Sequence, residues 1–409
     1  MRLKRFVGNH IKITAPFGIG LTLLIFIFSL GACHRQDSSA LHLASSSDPP
    51  AANSGIANNG PISSTPGLVV SYADVVSRVA PAVVTIHSQA RVRAPQQYPF
   101  MDDPFFRQFF GDRLPQQPPA TQRREALGSG VIVSTDGFIL TNHHVIDGAD
   151  QIKIDLNDNR TLDAKVVGSD ALSDLALLKI DASNLPVLVL GDSDKVRVGD
   201  VVLAIGNPLG IGQTVTMGII SAKSRQTGLS NGSFEDFLQT DAPINQGNSG
   251  GGLVSTNSEL IGINSQILSP SGGSIGIGFA VPSNMARNVM EQLAKGGKVH
   301  RGQLGIFVAK VTSDVASSLK LKEAKGVVVL QVQPGGSAER AGLRKGDVIT
   351  TYNGVAVNDP NAFRNQVAST PPGTEVTITI LRDGREQQVR AALGEFTPQA
   401  EPKPVDTGQ

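Results

Sequence analysis

The sequence predicts a mainly β protein whose largest part is built from β-barrels and is followed by a smaller second unit. Two observations carry that expectation. Between Leu127 and Pro282, short β-rich runs alternate with Gly, Asp and Asn turns, among them Gly130-Val131-Ile132-Val133, Ile152-Lys153-Ile154, Val201-Val202-Leu203-Ala204-Ile205 and Leu260-Ile261-Gly262-Ile263. Regular spacing with frequent turns fits barrels better than βαβ units. At 409 residues, 40% of them hydrophobic, the chain exceeds one typical domain and can bury a sizeable core, so two or three domains are expected.

Taken in order, the chain opens with Arg2, Lys4, Arg5 and Lys12 and is then uncharged from Ile13 to Cys33, with its most apolar part between Phe17 and Leu30. A basic start followed by an apolar stretch reads as an export signal over residues 1–33. Its ending, Leu30-Gly31-Ala32-Cys33, resembles a bacterial lipobox, which would make Cys33 a lipidation site; an ordinary cleaved signal and an uncleaved anchor helix are the alternatives. Cys33 is the single cysteine, so an intramolecular disulfide framework is excluded. Lysine plus arginine number 36 against 35 acidic residues, a balance that gives no basic field for nucleic acid. Residues 34–66, rich in Ser, Ala, Asn, Gly and Pro, read as a flexible tether that would let the folded part stand off from a membrane.

The first folded unit is expected over residues 67–298. Val75, Val76 and Val79 suit a short helix capped by Ser71, followed by Ala82-Val83-Val84-Thr85-Ile86 as a strand. A long insertion over residues 91–126 carries Phe100, Phe105, Phe106, Phe109 and Phe110. Phenylalanines exposed in that number favour a partner surface over a plain disordered insert. After Pro282, Ser283 is placed to cap a helix with Met285, Val289 and Leu293 on one face, ending at Gly296-Gly297. A second unit follows over residues 301–394, then a polar, proline-containing tail, 395–409.

The chemistry centres on Gly247-Asn248-Ser249-Gly250-Gly251. A serine flanked by glycines lets a peptide carbonyl approach Oγ and leaves backbone N–H groups free to face a developing oxyanion. Taken alone, the pattern reads at least as well as a glycine-rich turn between strands. A serine nucleophile also needs a base with a pKa near the working pH and a carboxylate to orient that base. Of the seven histidines, His10, His34 and His42 fall in the export segment and tether. Thr141-Asn142-His143-His144-Val145 sets a histidine at the end of the strand-like run Gly137-Phe138-Ile139-Leu140, and Ser173-Asp174-Leu175-Ala176-Leu177-Leu178 sets an aspartate just before an apolar strand. The resulting order His, Asp, Ser is that of the two-barrel serine endopeptidases, whereas the α/β-hydrolase elbow runs Ser, acid, His. The hydrolase alternative would need His300 as base, within the exposed joint Lys298-Val299-His300-Arg301.

The runs Thr-Asn-His-His-Val, Ser-Asp-Leu-Ala-Leu-Leu and Gly-Asn-Ser-Gly-Gly, together with Ala204-Ile205-Gly206-Asn207-Pro208 and Ile275-Gly276-Ile277-Gly278-Phe279-Ala280-Val281-Pro282, closely resemble motifs of the HtrA/Deg family of serine endopeptidases. The likeness runs from about Tyr72 to about Leu393. It implies a two-barrel chymotrypsin-like protease domain, with the 91–126 insertion as a long regulatory loop, followed by one α+β PDZ domain, which Pro334-Gly335-Gly336-Ser337-Ala338-Glu339-Arg340-Ala341-Gly342-Leu343 and Lys345-Gly346-Asp347-Val348-Ile349 resemble. Carried over residue by residue, it implies catalytic His144, Asp174 and Ser249, with His143, where an asparagine is common in the family, as a structural neighbour. The oxyanion hole falls on Gly247 and Asn248, with the N–H groups of Gly247 and Ser249 as donors. Ser265, Gln266 and Ile267 fall alongside the substrate, Leu304, Gly305 and Ile306 on a loop that binds the carboxylate of peptide C-termini, and Arg225 on a regulatory sensor loop. Pro243 and Ile244 stand where the pocket for the acyl-side residue has its base, and neither offers a carboxylate for Lys or Arg. The expected activity is ATP-independent cleavage of unfolded or damaged envelope proteins in the periplasm by a homotrimer or higher multiple, with neither metal nor other cofactor. The membrane is met only through the N-terminal lipid or anchor. Two other functions stay open: a chaperone-like binder with a mostly latent protease site, and a PDZ-based stress sensor.

Overall fold

The computed structural model describes residues 71–93, 121–207, 212–228, 233–245, 247–267, 273–319, 321 and 323–397, with the side chains of 91–93 and 121–124 left aside. Cys33, the tether, the phenylalanine-bearing stretch and the end of the tail lie outside these residues.

A short helix α1 (Ala73–Val79) opens the described part, and its Ala73 N–H donates to Ser71 Oγ at 3.2 Å. Six strands then close a barrel: β1 (Val83–Arg93), β2 (Thr121–Ile132), β3 (Phe138–Thr141), β4 (Gln151–Asp155), β5 (Thr161–Asp170) and β6 (Leu175–Ile180), in the order β1-β2-β3-β6-β5-β4. Between β3 and β4 sits a single helical turn, α2 (His143–Ile146). β1 and β2 pair as far as Arg93 opposite Thr121, so both ends of the expected insertion are strand ladder instead of loop. A second barrel follows: β7 (Val201–Gly206), β8 (Thr214–Arg225), β9 (Phe237–Thr240), β10 (Gly252–Ser255), β11 (Leu260–Ile267) and β12 (Gly278–Pro282), ordered β10-β11-β12-β9-β8-β7.

Apolar patterning explains why the two barrels abut. β6 begins with four apolar residues, Leu175–Leu178, because both of its faces are covered there: Ala176, Leu178 and, after Lys179, Ile180 point into the first barrel, while Leu175 and Leu177 join a core shared with the second. β7 behaves the same way, with Val202 and Ala204 inside its own barrel and Leu203 and Ile205 in the shared core. The shared core is completed by Ala286, Val289 and Leu293 of helix α3 (Ser283–Gly296). The turns that lead into β6 and β10 are therefore set beside this shared core.

Helix α3 corrects one expectation. Ser283 is its first helical residue and not its cap; the Ser283 hydroxyl is buried and donates to Gly191 O at 2.8 Å, while Ser193 Oγ takes the Asn284 N–H. The end is as expected, with Gly297 at φ +68° and its N–H on Leu293 O, a left-handed stop that glycine adopts without strain.

The C-terminal unit comprises β13 (Gly302–Gln303), β14 (Ile306–Lys310), helix α4 (Ser313–Ser318), β15 (Val327–Val332), helix α5 (Ser337–Arg340), β16 (Val348–Tyr352), β17 (Val355–Ala356), helix α6 (Pro360–Ser369), β18 (Glu375–Arg382), β19 (Arg385–Ala392) and β20 (Gly394–Glu395). Its main sheet runs β14-β15-β16-β18-β19, leaving β14 at an edge beside α6, and β13 pairs with β20 at the entrance and exit of the unit. Asp359 caps α6 by accepting from Asn361 N and Ala362 N, as an N-cap aspartate does.

Barrels and C-terminal unit meet around Phe234. Its ring is faced by Arg301 at 4.8 Å and Arg364 at 4.3 Å and is met edge-on by Phe396 at 5.2 Å. Asn361 and Asn365 of α6 both donate to Glu235 O. Arg301, at the joint between the two units, forms a buried two-pronged pair with Asp170 at the end of β5.

Candidate active site

His144 reaches the barrel seam because β3 ends at Thr141 and the chain turns at once into α2. Asp174 opens β6 from a tight turn in which it adopts φ +54°. That turn is tied on every side: Asn142 Nδ2 donates to Asp174 O at 2.9 Å, Asp174 N donates to Ala171 O, and the Asp170 carboxylate takes the Ser173 N–H at 2.9 Å together with the Ser173 hydroxyl. The imidazole and the carboxylate meet squarely, with His144 Nδ1 at 2.9 and 2.8 Å from the two Asp174 oxygens and the His144 backbone N–H at 3.1 Å from Oδ1. Burial pushes the Asp174 carboxyl up, but the bond to His144, its charge and the Ser265 hydroxyl together outweigh it and hold the group below its ordinary value. His143, beside it, is half-buried and turns its Nε2 toward Asp147 at 3.6 Å.

Ser249 comes from the second barrel, between Gly247 (φ +99°) and Gly250 (φ +83°). At Gly250 a side chain has no room, since a β-carbon would sit 2.1 Å from Ser129 O. Across the seam, Ser129 of β2 donates its N–H to Ser249 O at 2.8 Å and its hydroxyl to Gly247 O at 2.7 Å. Asn248 is buried, with its N–H on Asn245 O. Among the described residues, neither the Gly247 N–H nor the Ser249 N–H is taken by a protein acceptor.

Ser265 joins the halves. Its hydroxyl donates to Asp174 Oδ2 at 2.7 Å, and its carbonyl accepts the Ser249 hydroxyl at 2.9 Å. A single buried residue of β11 thus holds the Asp174 carboxylate and the Ser249 hydroxyl at once. The Ser249 hydroxyl spends its hydrogen bond on Ser265 O and not on His144. Gln266 donates to Thr227 Oγ1, and Ile267 ends the strand half-buried.

Of the two residues expected at the base of the acyl-side pocket, Ile244 belongs to the aliphatic core of the second barrel. Ile244 is buried and lies against Gly278, where a β-carbon would come 2.9 Å from Ile244 Cδ1. The nearby Asp241 carboxylate is occupied by the Ile219 N–H at 2.7 Å. Pro243 is exposed, with its carbonyl on Thr216 Oγ1.

The remaining predicted residues lie away from this cluster. Leu304, Gly305 (φ +75°) and Ile306 form the turn from β13 into β14, with Gly305 O taking Gln333 N and Leu304 O taking Ala338 N. Arg225 ends β8 after two irregularities in its pairing with β9, and its Nε donates to Gln239 Oε1 at 3.0 Å inside its own barrel. His300 pairs with Glu395 at 2.7 Å beside the β13–β20 pair. Sequence reading missed Ser129, Asp170 and the bond of the Ser265 hydroxyl to the carboxylate. Only Ser129 had a usable signal, for Gly128-Ser129-Gly130 has the same small flanks that singled out Ser249.

Both units of the chain are similar to known proteins. The trypsin-like peptidase domain family matches residues 128–263 and the PDZ domain family residues 273–393. The chain is 46% identical over 344 residues to the periplasmic pH-dependent serine endoprotease DegQ of Escherichia coli K12, covering 82% of this chain and 74% of that one. It is 44% identical over 350 residues to the periplasmic serine endoprotease DegP of the same organism, covering 79% and 72%. Among solved structures, the HtrA-type protease AlgW with a decapeptide is 51% identical with a TM-score of 0.63, covering 81% of this chain and 100% of that one. The serine endoprotease from Yersinia pestis is 40% identical with a TM-score of 0.53, covering the same shares.

Proposed function

The chain belongs to the HtrA family of trypsin-like serine endopeptidases with a PDZ domain, and from that premise we propose that Ser249 is its nucleophile, His144 its general base and Asp174 the group that orients the base. The observation that carries this assignment is the double use of Ser265, which ties the carboxylate and the Ser249 oxygen to one buried point on β11. In this reading the Ser249 hydroxyl rotates from Ser265 O toward His144 Nε2, attacks the peptide carbonyl and gives up its proton to the imidazole. Asp174 holds the Nδ1 proton and stabilises the imidazolium, Nε2 gives the proton taken from the serine to the leaving amine as the C–N bond breaks, and water deprotonated by the same imidazole then releases the acyl group from Ser249. The N–H groups of Gly247 and Ser249 face the oxyanion, with buried Asn248 shaping the turn between them.

Ile244 against Gly278 supports a shallow aliphatic pocket for the acyl-side residue, and the engaged Asp241 supports rejection of Lys and Arg. Substrates in this reading are unfolded or damaged proteins of the periplasm. Cleavage needs no nucleotide, since peptide hydrolysis requires no coupled energy source. β14 at the sheet edge, entered through Leu304, Gly305 and Ile306, supports capture of an extended peptide C-terminus by strand addition. Exposed Val189, Val198, Met217 and Ile219 support association of several copies, a homotrimer or higher multiple. Attachment to the membrane is assigned to Cys33.

The latent-binder reading has one observation in its favour, the Ser249 hydroxyl on Ser265 O. Giving up one neutral hydrogen bond costs about 0.5–1.5 kcal/mol, roughly a tenfold bias at most. That is too little to silence a protease. The test is casein cleavage by protein lacking residues 1–33 beside its Ser249→Ala form: cleavage abolished by the substitution is expected, and equal rates in the two proteins would sink the assignment.

A further inference from the structure

We propose that Ser129 is a positioning residue for the oxyanion loop. The proposal rests on the reading of Gly247 and Ser249 as oxyanion donors. Ser129 lies on β2 of the first barrel, opposite Thr85 of β1, and is fully buried. Every polar group it has is engaged at the seam. Its N–H holds Ser249 O, its hydroxyl donates to Gly247 O and accepts from Asn207 N at 2.9 Å, and its carbonyl takes the Thr141 hydroxyl at 2.7 Å. Asn207, just after β7 of the second barrel, is in turn bonded through Nδ2 to Thr85 Oγ1 at 2.6 Å, so Ser129 and Thr85 of the first barrel close a small polar knot with it against the loop.

The two bonds from Ser129 to the loop fix two peptide planes, Gly247–Asn248 and Ser249–Gly250. These flank the plane that carries the Ser249 N–H, which leaves that donor little freedom. The first plane is the vulnerable one. Gly247 at φ +99° has no β-carbon to resist rotation, and the other bond of this plane is the Asn248 N–H on Asn245 O at 3.0 Å; held by that bond alone, the carbonyl can swing and present an oxygen where the site needs donors. The Ser129 hydroxyl gives that carbonyl a buried partner on the side away from substrate. No side chain is in the way: at Gly206 a β-carbon would come 2.9 Å from Ser129 Oγ and 2.6 Å from Asn248 Oδ1, and glycine keeps that space open.

The experiment compares the full-length protein with its Ser129→Ala, Ser129→Cys and Ser283→Ala forms. Ser283 is the control, since its hydroxyl makes a similar buried bond to a carbonyl, Gly191 O, far from the loop. Cleavage of a peptide with a small aliphatic acyl-side residue is measured alongside thermal unfolding and the affinity of the matching peptide boronate, whose tetrahedral adduct with serine uses the oxyanion donors. Losing one such donor costs about 10²–10³ in turnover, and a loop that occupies the wrong plane part of the time should lose about tenfold or more in kcat. The expected result is that fall in both Ser129 forms with KM within about twofold, a parallel loss of boronate affinity, and no change in rate for Ser283→Ala. Rates and boronate affinities in the Ser129 forms that equal those of Ser283→Ala overturn the proposal and leave the protease reading intact. A wild-type protein that neither cleaves nor binds boronate overturns that reading and the proposal with it.

Discussion

The two halves of the active site are held by different means. On the first barrel, Asp174 and His144 are locked by side-chain bonds: two contacts across the carboxylate, Asn142 on the Asp174 carbonyl, and Asp170 with Ser173 beneath the turn. On the second barrel, Ser249 rides on a glycine-flanked loop held mainly through backbone atoms, with its grip supplied by Ser129 of the other barrel. The acid–base half resists change because several polar side chains would have to move together. The nucleophile half can be re-aimed by rotating single peptide planes. Control of such a site is cheapest at the loop, and any ligand acting there need favour one loop arrangement by only a few kcal/mol.

The strongest way to break this contrast is to strike each half directly. Ser249→Ala and His144→Ala should each lower kcat by roughly 10⁴-fold or more, because the residues act as a unit, while His143→Ala keeps most activity; steady-state peptide cleavage separates the cases. A dead His143→Ala beside an active His144→Ala would reverse the assignment of the base.

Next in size is the support under the acid turn. Arg301→Ala leaves the Asp170 carboxylate buried without its cation, an injury of about 3–5 kcal/mol, read by urea unfolding. The same change should lower kcat in the protein that remains folded, since Asp170 underpins Ser173 and Asp174. Unfolding unchanged in Arg301→Ala would mean that the joint is not part of the acid half.

Opening the pocket floor tests substrate choice without touching either half. Ile244→Ala should shift preference toward larger aliphatic acyl-side residues by about 10–100-fold in relative kcat/KM, measured on a peptide series. A pattern identical to wild type would remove Ile244 from the pocket.

Acid titration gives a smaller and signed effect. The Asp174 carboxyl sits below its ordinary value in the folded protein, so its contribution to stability is fully present above the usual carboxylate range and is lost as pH falls through the depressed value. The stability gap between wild type and Asp174→Asn should therefore narrow as pH drops below about 4. A gap that widens on acidification contradicts the pairing with His144.

The smallest expected change is at Arg225. Its bond to Gln239 stays within the second barrel, so Arg225→Ala should cost about 1 kcal/mol or less of stability and lower basal turnover only a few-fold. If Arg225 serves a sensor loop, activation by peptides with a free apolar C-terminus is blunted in the variant; activation equal to wild type leaves it an ordinary surface arginine.

What the sequence made legible was whatever depends on neighbours along the chain. His144 and Asp174 are announced by the strands beside them, and Ser249 by its flanking glycines. Ser265 was read only as lying beside substrate, because the bond of its hydroxyl to a carboxylate 91 positions away depends on which way β11 turns at the irregularity between Asn264 and Gln266. The pairing of Arg301 with Asp170 spans 131 positions and leaves no local trace. Ser283 shows the opposite failure: a serine at the start of a helix reads as a cap, but here burial against Gly191 outcompetes the local bond.

The pairing of β13 with β20 has a mechanical meaning. The C-terminal unit is entered at Gly302–Gln303 and left at Gly394–Glu395, and these two short strands are zipped together, with Phe396 N on Arg301 O just beyond them. A load applied to the chain after Phe396 is therefore borne first by this zip and by Arg301, not by the sheet of the unit. Arg301 also grips Asp170 through two bonds, so the residues that follow β20 are tied through Arg301 to the turn that carries Asp174.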